Sequence, residues 1–355
     1  MTPCRHFGVC GGCSLQDLSP EAYRARKRDS VVAALVAVGL GNVTVEETIL
    51  VPQKTRRRAV FKIAKNREVV EIGFHAQRSH DIVDMHECLV LTPSLLALAD
   101  VLRQALAPIF NPGEKAELHV NESDTGFDLA FRCERKLTPV MTSMLAKALA
   151  GKGIARILFN GDVLMENAAP SITLHGSKLA LPPQAFLQAT REGEAMLQER
   201  VLALTGTAKN IADLFAGLGT FTLALARKAK VHAVEQDGAA LSALAAAARA
   251  TPGLKPVTTE RRDLFKVPMT PAELKPFNAV VLDPPRAGAL GQAKALAASQ
   301  IGRIVYVSCD AASFSRDAAI LVEAGFRPGS VTPIDQFLYS GHIELVAGFE
   351  RSRKL

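Results

Sequence analysis

Asp213-Leu-Phe-Ala-Gly-Leu-Gly-Thr-Phe221 is the stretch whose reading decides the fold. The apolar lead-in before it reads as a strand. Gly217 and Gly219 remove side chains where a ligand must approach backbone, and Thr220 opens a helix whose N-terminus favours polar or anionic groups. The next strand, Val231-His-Ala-Val-Glu235, ends in an acid. An acid about 20 residues beyond such a loop is placed to take both hydroxyls of a ribose. Outward from this unit the rhythm continues: an Ala-rich helix from Gly238 to Ala250, then strands at NAVVLDPP and RIVYVSC, then a terminal pair near PIDQF and ELVAGF. Alternation of this kind from about Lys178 onward predicts an α/β domain built on a parallel, doubly wound sheet.

Two nucleoside cofactors compete for such a loop, a nicotinamide dinucleotide and S-adenosylmethionine. The loop lacks the third glycine of G-x-G-x-x-G, which argues against a pyrophosphate. A later strand ends in Asp283-Pro-Pro-Arg286, and a D-P-P corner there suits methyl transfer, with Asp283 facing the target. Amino-directed enzymes would place an aromatic ring after the two prolines, and Arg286 stands there instead. The catalytic cysteine candidate is Cys309, at the end of the following strand. Uracil C5 is a poor nucleophile, so its methylation calls for a thiolate that adds at C6 and makes C5 electron-rich. The C5 proton must then leave to a base, and Glu344 in SGHIELVAGF is the candidate.

Three of the six cysteines fall in the first thirteen residues as Cys4-x5-Cys10-Gly-Gly-Cys13. The glycines let the backbone aim two sulfurs at one centre, so a metal site is expected, with Cys88 as the distant fourth ligand. A solitary distant cysteine suits a [4Fe-4S] cluster, while His6 and His86 beside the ligand candidates keep zinc open. Cys133 reads as a core or edge thiol. Ser19-Pro20 starts a helix running to about Val38 and ending at Gly39. From Thr44 to about Thr173 short alternating segments, beginning with VTVEETI and interrupted by one helical run from Thr92 to Pro108, predict a β-rich α+β region.

The net charge of +7 in 355 residues hints at an anionic partner. Between Lys54 and Arg67 lie seven basic residues and no acid. They read either as a solvated strand face or as a phosphate-contacting ribbon that includes Arg56, Arg57 and Arg58, with Val60, Phe61 and Ile63 on the buried side. No Trp and three Tyr leave little for base stacking, so RNA contact should rest on charge and shape. No apolar run approaches the ~20 residues of a membrane span, and no signal-peptide core is present. A cytoplasmic protein is expected, without an obligatory protein partner and monomeric.

Taken together, C-x5-C-G-G-C with Cys88, Phe186-Leu-Gln188, DLFAGLGTF, Glu235, DPPRAG, VSC with Arg316-Asp317, and GHIE resemble the RNA uracil-C5 methyltransferases, which make 5-methyluridine in 23S rRNA and in the tRNA T-loop. The resemblance covers nearly the whole chain. It implies a [4Fe-4S] cluster on Cys4, Cys10, Cys13 and Cys88, and a class I, Rossmann-like methyltransferase domain binding S-adenosylmethionine. It also implies Gln188, Phe215, Glu235 and Asp283 around donor and target base, and Asp263 at adenine. Gly217, Gly219 and Thr220 complete the expected donor site. The expected division is 1–43 for the cysteine segment and helix, 44–175 for a β-rich RNA-binding region, and 176–355 for the methyltransferase domain.

Four departures from the family pattern stand out. Ala216 replaces a cysteine, Thr190 stands where asparagine is frequent, and Asp310 follows the nucleophile where asparagine is common. No N-terminal TRAM barrel precedes the cysteines. RNA is the expected partner, 23S rRNA ahead of tRNA. A non-catalytic RNA-binding or assembly factor retaining the fold is the alternative, and Asp310 is the residue in its favour, because a carboxylate beside a thiolate slows attack.

Overall fold

The computed structural model describes residues 4–351 of the chain. Its larger sheet has eight strands. From one edge they are Ile49–Leu50, Phe326–Asp335, Glu344–Arg351, Arg303–Ser308, Ala279–Leu282, Asn210–Leu214, Lys230–Glu235 and Val257–Arg261. The last five of these run parallel, and Glu344–Arg351 lies antiparallel between Arg303–Ser308 and Phe326–Asp335. This is the α/β, doubly wound sheet that the alternation predicts. Strand order reverses between Asn210–Leu214 and Ala279–Leu282, so a crevice opens there outside the carboxyl ends. Residues 215–221, Glu235, Asp283 and Cys309 all follow or end those strands. Because Ser308 pairs with Leu345, the antiparallel strand brings Glu344 to the same end as Cys309.

The second sheet has seven strands, in the order Ile82–Asp84, Val69–His75, Arg58–Asn66, Lys115–Ser123, Gly126–Cys133, Ile154–Phe159 and Asp162–Glu166. Helices Pro93–Leu106 and Pro139–Leu149 pack with it around one apolar core that includes Phe61, Ile63, Leu102, Leu118 and Phe131. Alternation explains the register: Phe61 and Ile63 point inward, whereas Val60 is 39% exposed and lies on the other face, not on the buried side expected for it.

Local signals set most helix starts. Ser19 accepts the Ala22 N–H and opens Pro20–Val36, and Asp237 accepts from Ala239 and Ala240 at the start of Gly238–Ala250. Two further expectations fail, and two helices were missed. VTVEETI is not a strand of the second sheet: Val45 bridges Val331 and Ile49–Leu50 extends the larger sheet, because Val45 buries itself with Val31, Leu35 and Val331. The segment after Gly219 contains a single α-helical turn, Thr222–Leu225, where TFTLALARKA suggests a longer helix. Helices Pro139–Leu149 and Arg191–Thr205 were not anticipated, although Thr138-Pro139 and Thr190 supply their caps.

Candidate functional site

The turn after Leu214 is made tight by backbone that ordinary residues avoid. Phe215 has φ +61° and Gly217 φ +53°, and an added Cβ at Gly217 would meet no atom within 4 Å. Gly219 does something else. At φ +87° it sits under Leu244, whose Cδ1 would lie 2.3 Å from a Cβ, so this glycine admits the packing of helix Gly238–Ala250 and does not itself line the crevice. The Gly217 N–H donates to Glu235 Oε2 at 3.0 Å, and the Gln236 and Asp237 N–H groups donate to Oε1 at 2.7 and 2.9 Å. A carboxylate offers about four acceptor positions, so Glu235, which faces the cavity, keeps capacity for a ligand hydroxyl. The Phe215 and Phe265 rings lie 5.4 Å apart beside it. An adenosyl group fits this half: open space at a glycine, an acid for ribose and two rings for a base.

A single cavity of about 580 Å³ joins this half to a reacting half lined by Gln188, Asp283, Pro284, Pro285, Arg286, Cys309 and Glu344. Burial pushes the Cys309 thiol up to about 11, helped by Glu344 and Asp283 and opposed by the Arg286 guanidinium. Burial first holds the Glu344 and Asp283 carboxyls well above the usual range, and then the charge of Asp283 acts on Glu344 and that of Asp213 on Asp283. Asp213, behind the glycine turn, is wholly buried and pushed up to about 7 by burial. The Thr222 hydroxyl donates to its Oδ2 at 2.5 Å. A buried carboxyl with a raised pKa near a thiol is the kind of group that accepts a proton near neutrality.

Gln336 was missed in the sequence and is the hub of this half. Its Nε2 donates to Gln188 Oε1 at 2.7 Å and to Glu344 Oε1 at 3.2 Å, while its Oε1 accepts the Ala189 N–H at 3.0 Å. Only its place one residue beyond a strand end could have flagged it. Arg58, taken from sequence as part of a basic ribbon, lines the cavity with its guanidinium 4.2 Å from the Phe186 ring. His342 also lines it, 3.2 Å from the Arg286 guanidinium.

Of the expected donor and catalytic residues, Gln188, Phe215, Gly217, Thr220, Glu235, Asp283, Cys309 and Glu344 share the cavity. Gly219 and Asp263 do not line it. Asp263 instead accepts the Phe265 and Lys266 N–H groups in the turn that presents Phe265. Two departures acquire structural roles. Thr190 caps helix Arg191–Thr205 by accepting the Gly193 N–H at 2.9 Å. Asp310 caps Ala311–Glu323 by accepting the Ser313 N–H at 2.9 Å. The basic ribbon does not hold together as one surface: Arg57 is buried against Glu194, Lys62 pairs with Glu117, and Lys65 donates to the Ala107 carbonyl.

Cys4, Cys10, Cys13 and Cys88 are free thiols, and burial pushes those of Cys10, Cys13 and Cys88 up, with neighbouring cysteines adding to the rise. The Gly12 N–H donates to Cys10 Sγ at 3.4 Å, and the Val90 and Leu91 N–H groups donate to Cys88 Sγ at 3.4 Å each. Among the described residues no group of three or more His, Cys, Asp or Glu side chains is drawn together as a metal ion requires. A lone tetrahedral ion with bonds of about 2.3 Å would pull its sulfurs to roughly 3.8 Å of one another, while a cubane carries one cysteine per iron and spaces them wider. Four cysteine thiols are a donor set that either a cubane or a single zinc ion can take. No helix among the described residues is long and apolar enough to cross a membrane.

Comparison with known proteins follows the same outline. Residues 155–351 match the model of the tRNA (uracil-5-)-methyltransferase family. An uncharacterised RNA methyltransferase of Rhizobium meliloti is 45% identical, over 98% of this chain and 85% of its own. The 23S rRNA (uracil(1939)-C(5))-methyltransferase RlmD of Aeromonas salmonicida is 30% identical over 98% and 82%. The crystal structure of Pyrococcus abyssi tRNA (uracil-54, C5)-methyltransferase in complex with S-adenosyl-L-homocysteine shares the fold, with a TM-score of 0.74 and 22% identity over 96% of this chain and 86% of that one.

Proposed function

The chain belongs to the tRNA (uracil-5-)-methyltransferase family and is an RNA methyltransferase, and from that premise we propose that it methylates C5 of a uridine in 23S rRNA, with Cys309 as nucleophile and Glu344 as base. The observation that carries the reading is one cavity holding Cys309, Glu344 and Asp283 beside Gly217 and Glu235. S-adenosylmethionine supplies an electrophilic methyl group when bound in the half lined by Phe215, Gly217, Glu235 and Phe265.

Cys309 as thiolate adds to C6 of the uracil, and the ring electrons shift to C5, which takes the methyl group. Glu344 then removes the C5 proton, the C6–S bond breaks, and the Cys309 thiolate is restored. Arg286 favours the thiolate, since its charge opposes the rise that burial imposes on Cys309. Gln336, itself held by Gln188 at 2.7 Å, fixes one oxygen of Glu344 through the 3.2 Å bond.

Ribosomal RNA is preferred over tRNA because the relative at 30% identity bears a 23S rRNA activity in its name. Cys4, Cys10, Cys13 and Cys88 would hold a [4Fe-4S] cluster with a structural and RNA-positioning role and no redox turnover. Against the rival reading as a non-catalytic factor, Asp310 caps a helix and is not among the charges that raise the Cys309 thiol. Deletion of the gene followed by mass mapping of 5-methyluridine in rRNA and tRNA tests the proposal. One 23S site should lose its methyl group. Loss confined to tRNA would move the substrate, and no loss in either RNA would refute the activity.

A further inference from the structure

The reacting half of the cavity is built partly by a loop whose anchors lie at the other end of the chain. Gln336, Phe337 and His342 belong to the connection between strands Phe326–Asp335 and Glu344–Arg351, and Gln336, as above, fixes Glu344. At its apex Tyr339 has φ +62°, a conformation that a bulky residue adopts only when its surroundings impose it.

The surroundings come from the N-terminal segment. The Ser14 and Leu15 N–H groups, directly after Cys13, donate to the Tyr339 carbonyl at 2.7 and 3.1 Å. The Tyr339 N–H donates to the Tyr23 hydroxyl at 2.7 Å, and that hydroxyl donates to Asp335 Oδ2. Lys27, one turn further along the same helix face, pairs with Asp335 Oδ1 at 3.0 Å and donates to the His342 carbonyl. The ends of the loop are thus tied to one buried carboxylate, whose Oδ1 also accepts the Phe337 N–H at 3.0 Å. Lys27 is 2% exposed and Asp335 is fully buried. A buried ion pair is poor value as a stabiliser, since apolar residues of similar volume often serve as well, but it imposes direction. Tyr23, Val51, Val90 and Leu338 form a small separate core that Cys13 and Cys88 pack against, so cysteine segment and loop share one body.

We propose that Tyr23 and Lys27 are positioning residues that lock the 336–343 loop into the reacting half of the cavity, coupling the cysteine-bearing segment to Glu344. The inference rests on the methyl-transfer reading of that cavity. The donor half is carried by other elements, so the lock acts on the uracil side alone.

Tyr23→Phe removes one oxygen and keeps the ring, which makes it the variant of choice; Lys27→Met with Asp335→Asn, which strands no buried charge, repeats every readout if Tyr23→Phe does not fold. Amide exchange in 336–342 should quicken while 215–220 stays protected, and release of the methylated adduct on ordinary RNA, the step that uses Glu344, should slow by roughly 10–100-fold, the cost of a small misplacement. The affinity for S-adenosylhomocysteine should stay within about twofold, as expected of sites without shared partners, and iron content should not change. Unaltered exchange and release would overturn the assignment. So would a parallel loss of S-adenosylhomocysteine affinity, which means general loosening, or loss of iron, which means that the hydroxyl serves the cysteines. If wild-type protein traps no 5-fluorouridine RNA, the methyl-transfer reading fails, and the exchange pattern alone still decides whether the lock exists.

Discussion

Replacing Arg57 by leucine should damage the fold while leaving the salt dependence of RNA binding untouched. Arg57 Nη2 lies 2.9 Å from Glu194 Oε2, with side-chain exposures of 2% and 6%, and its Nε donates to the Gln188 carbonyl at 3.2 Å. Removing one partner of a buried pair strands the other, a loss of about 3–5 kcal/mol. Burial already holds the Glu194 carboxyl above its usual range, with Arg57 pulling it down, so the variant raises it further. The sign follows: the folded variant then binds a proton that the unfolded chain gives up more readily, so its stability rises as pH falls through the raised pKa. Urea unfolding should therefore show a large deficit at pH 8 that shrinks at about pH 5.5. Arg57→Leu with Glu194→Met, which removes both charges, should recover to within about 1–2 kcal/mol of wild type. A deficit below about 1 kcal/mol, the scale of an exposed pair, would refute the reasoning. So would a deficit that does not change with pH.

Other outcomes follow from the same geometry. Gly219→Ala should cost roughly 2 kcal/mol in urea unfolding, because its Cβ would meet Leu244 at a positive φ; Gly217→Ala should chiefly weaken S-adenosylhomocysteine binding by calorimetry. With its thiol pushed up to about 11, Cys309 is mostly protonated at neutral pH, so the rate of RNA adduct formation should climb roughly tenfold per pH unit from 7 to 9, and a flat profile would point to another nucleophile. Anaerobically purified protein should carry about four irons per chain by metal analysis, and Cys88→Ser should lose them. One zinc and no iron would replace the cluster by an ion.

Much of the donor half was legible because glycine spacing and a strand-end acid are local signals. DLFAGLGTF and Glu235 could be read along the chain, as could Cys309 and Glu344 once the strand ends were aligned. Gly219 shows the limit: spacing marks a glycine, but only packing shows that it makes room for Leu244 and not for a ligand. Gln336 and Arg58 reach the site through tertiary pairing, and their immediate neighbours in sequence carry no hint of it. The Lys54–Arg67 run misled for the same reason, since a buried Arg57 and a solvated arginine look alike in a charge count. VTVEETI alternates like a strand, but only the fold decides which sheet it joins. Asp310 and Thr190, departures in a motif, are ordinary caps in a helix.

The most direct measurement of the central claim is covalent trapping with RNA that carries 5-fluorouridine, in the presence of the methyl donor. Fluorine leaves no C5 proton to remove, so wild-type enzyme should give a protein-RNA adduct that survives denaturing electrophoresis. Cys309→Ala should give none, and Glu344→Gln on ordinary RNA should accumulate a methylated adduct it cannot release. An adduct that persists in Cys309→Ala, or prompt release by Glu344→Gln, would contradict the assignment of nucleophile or base.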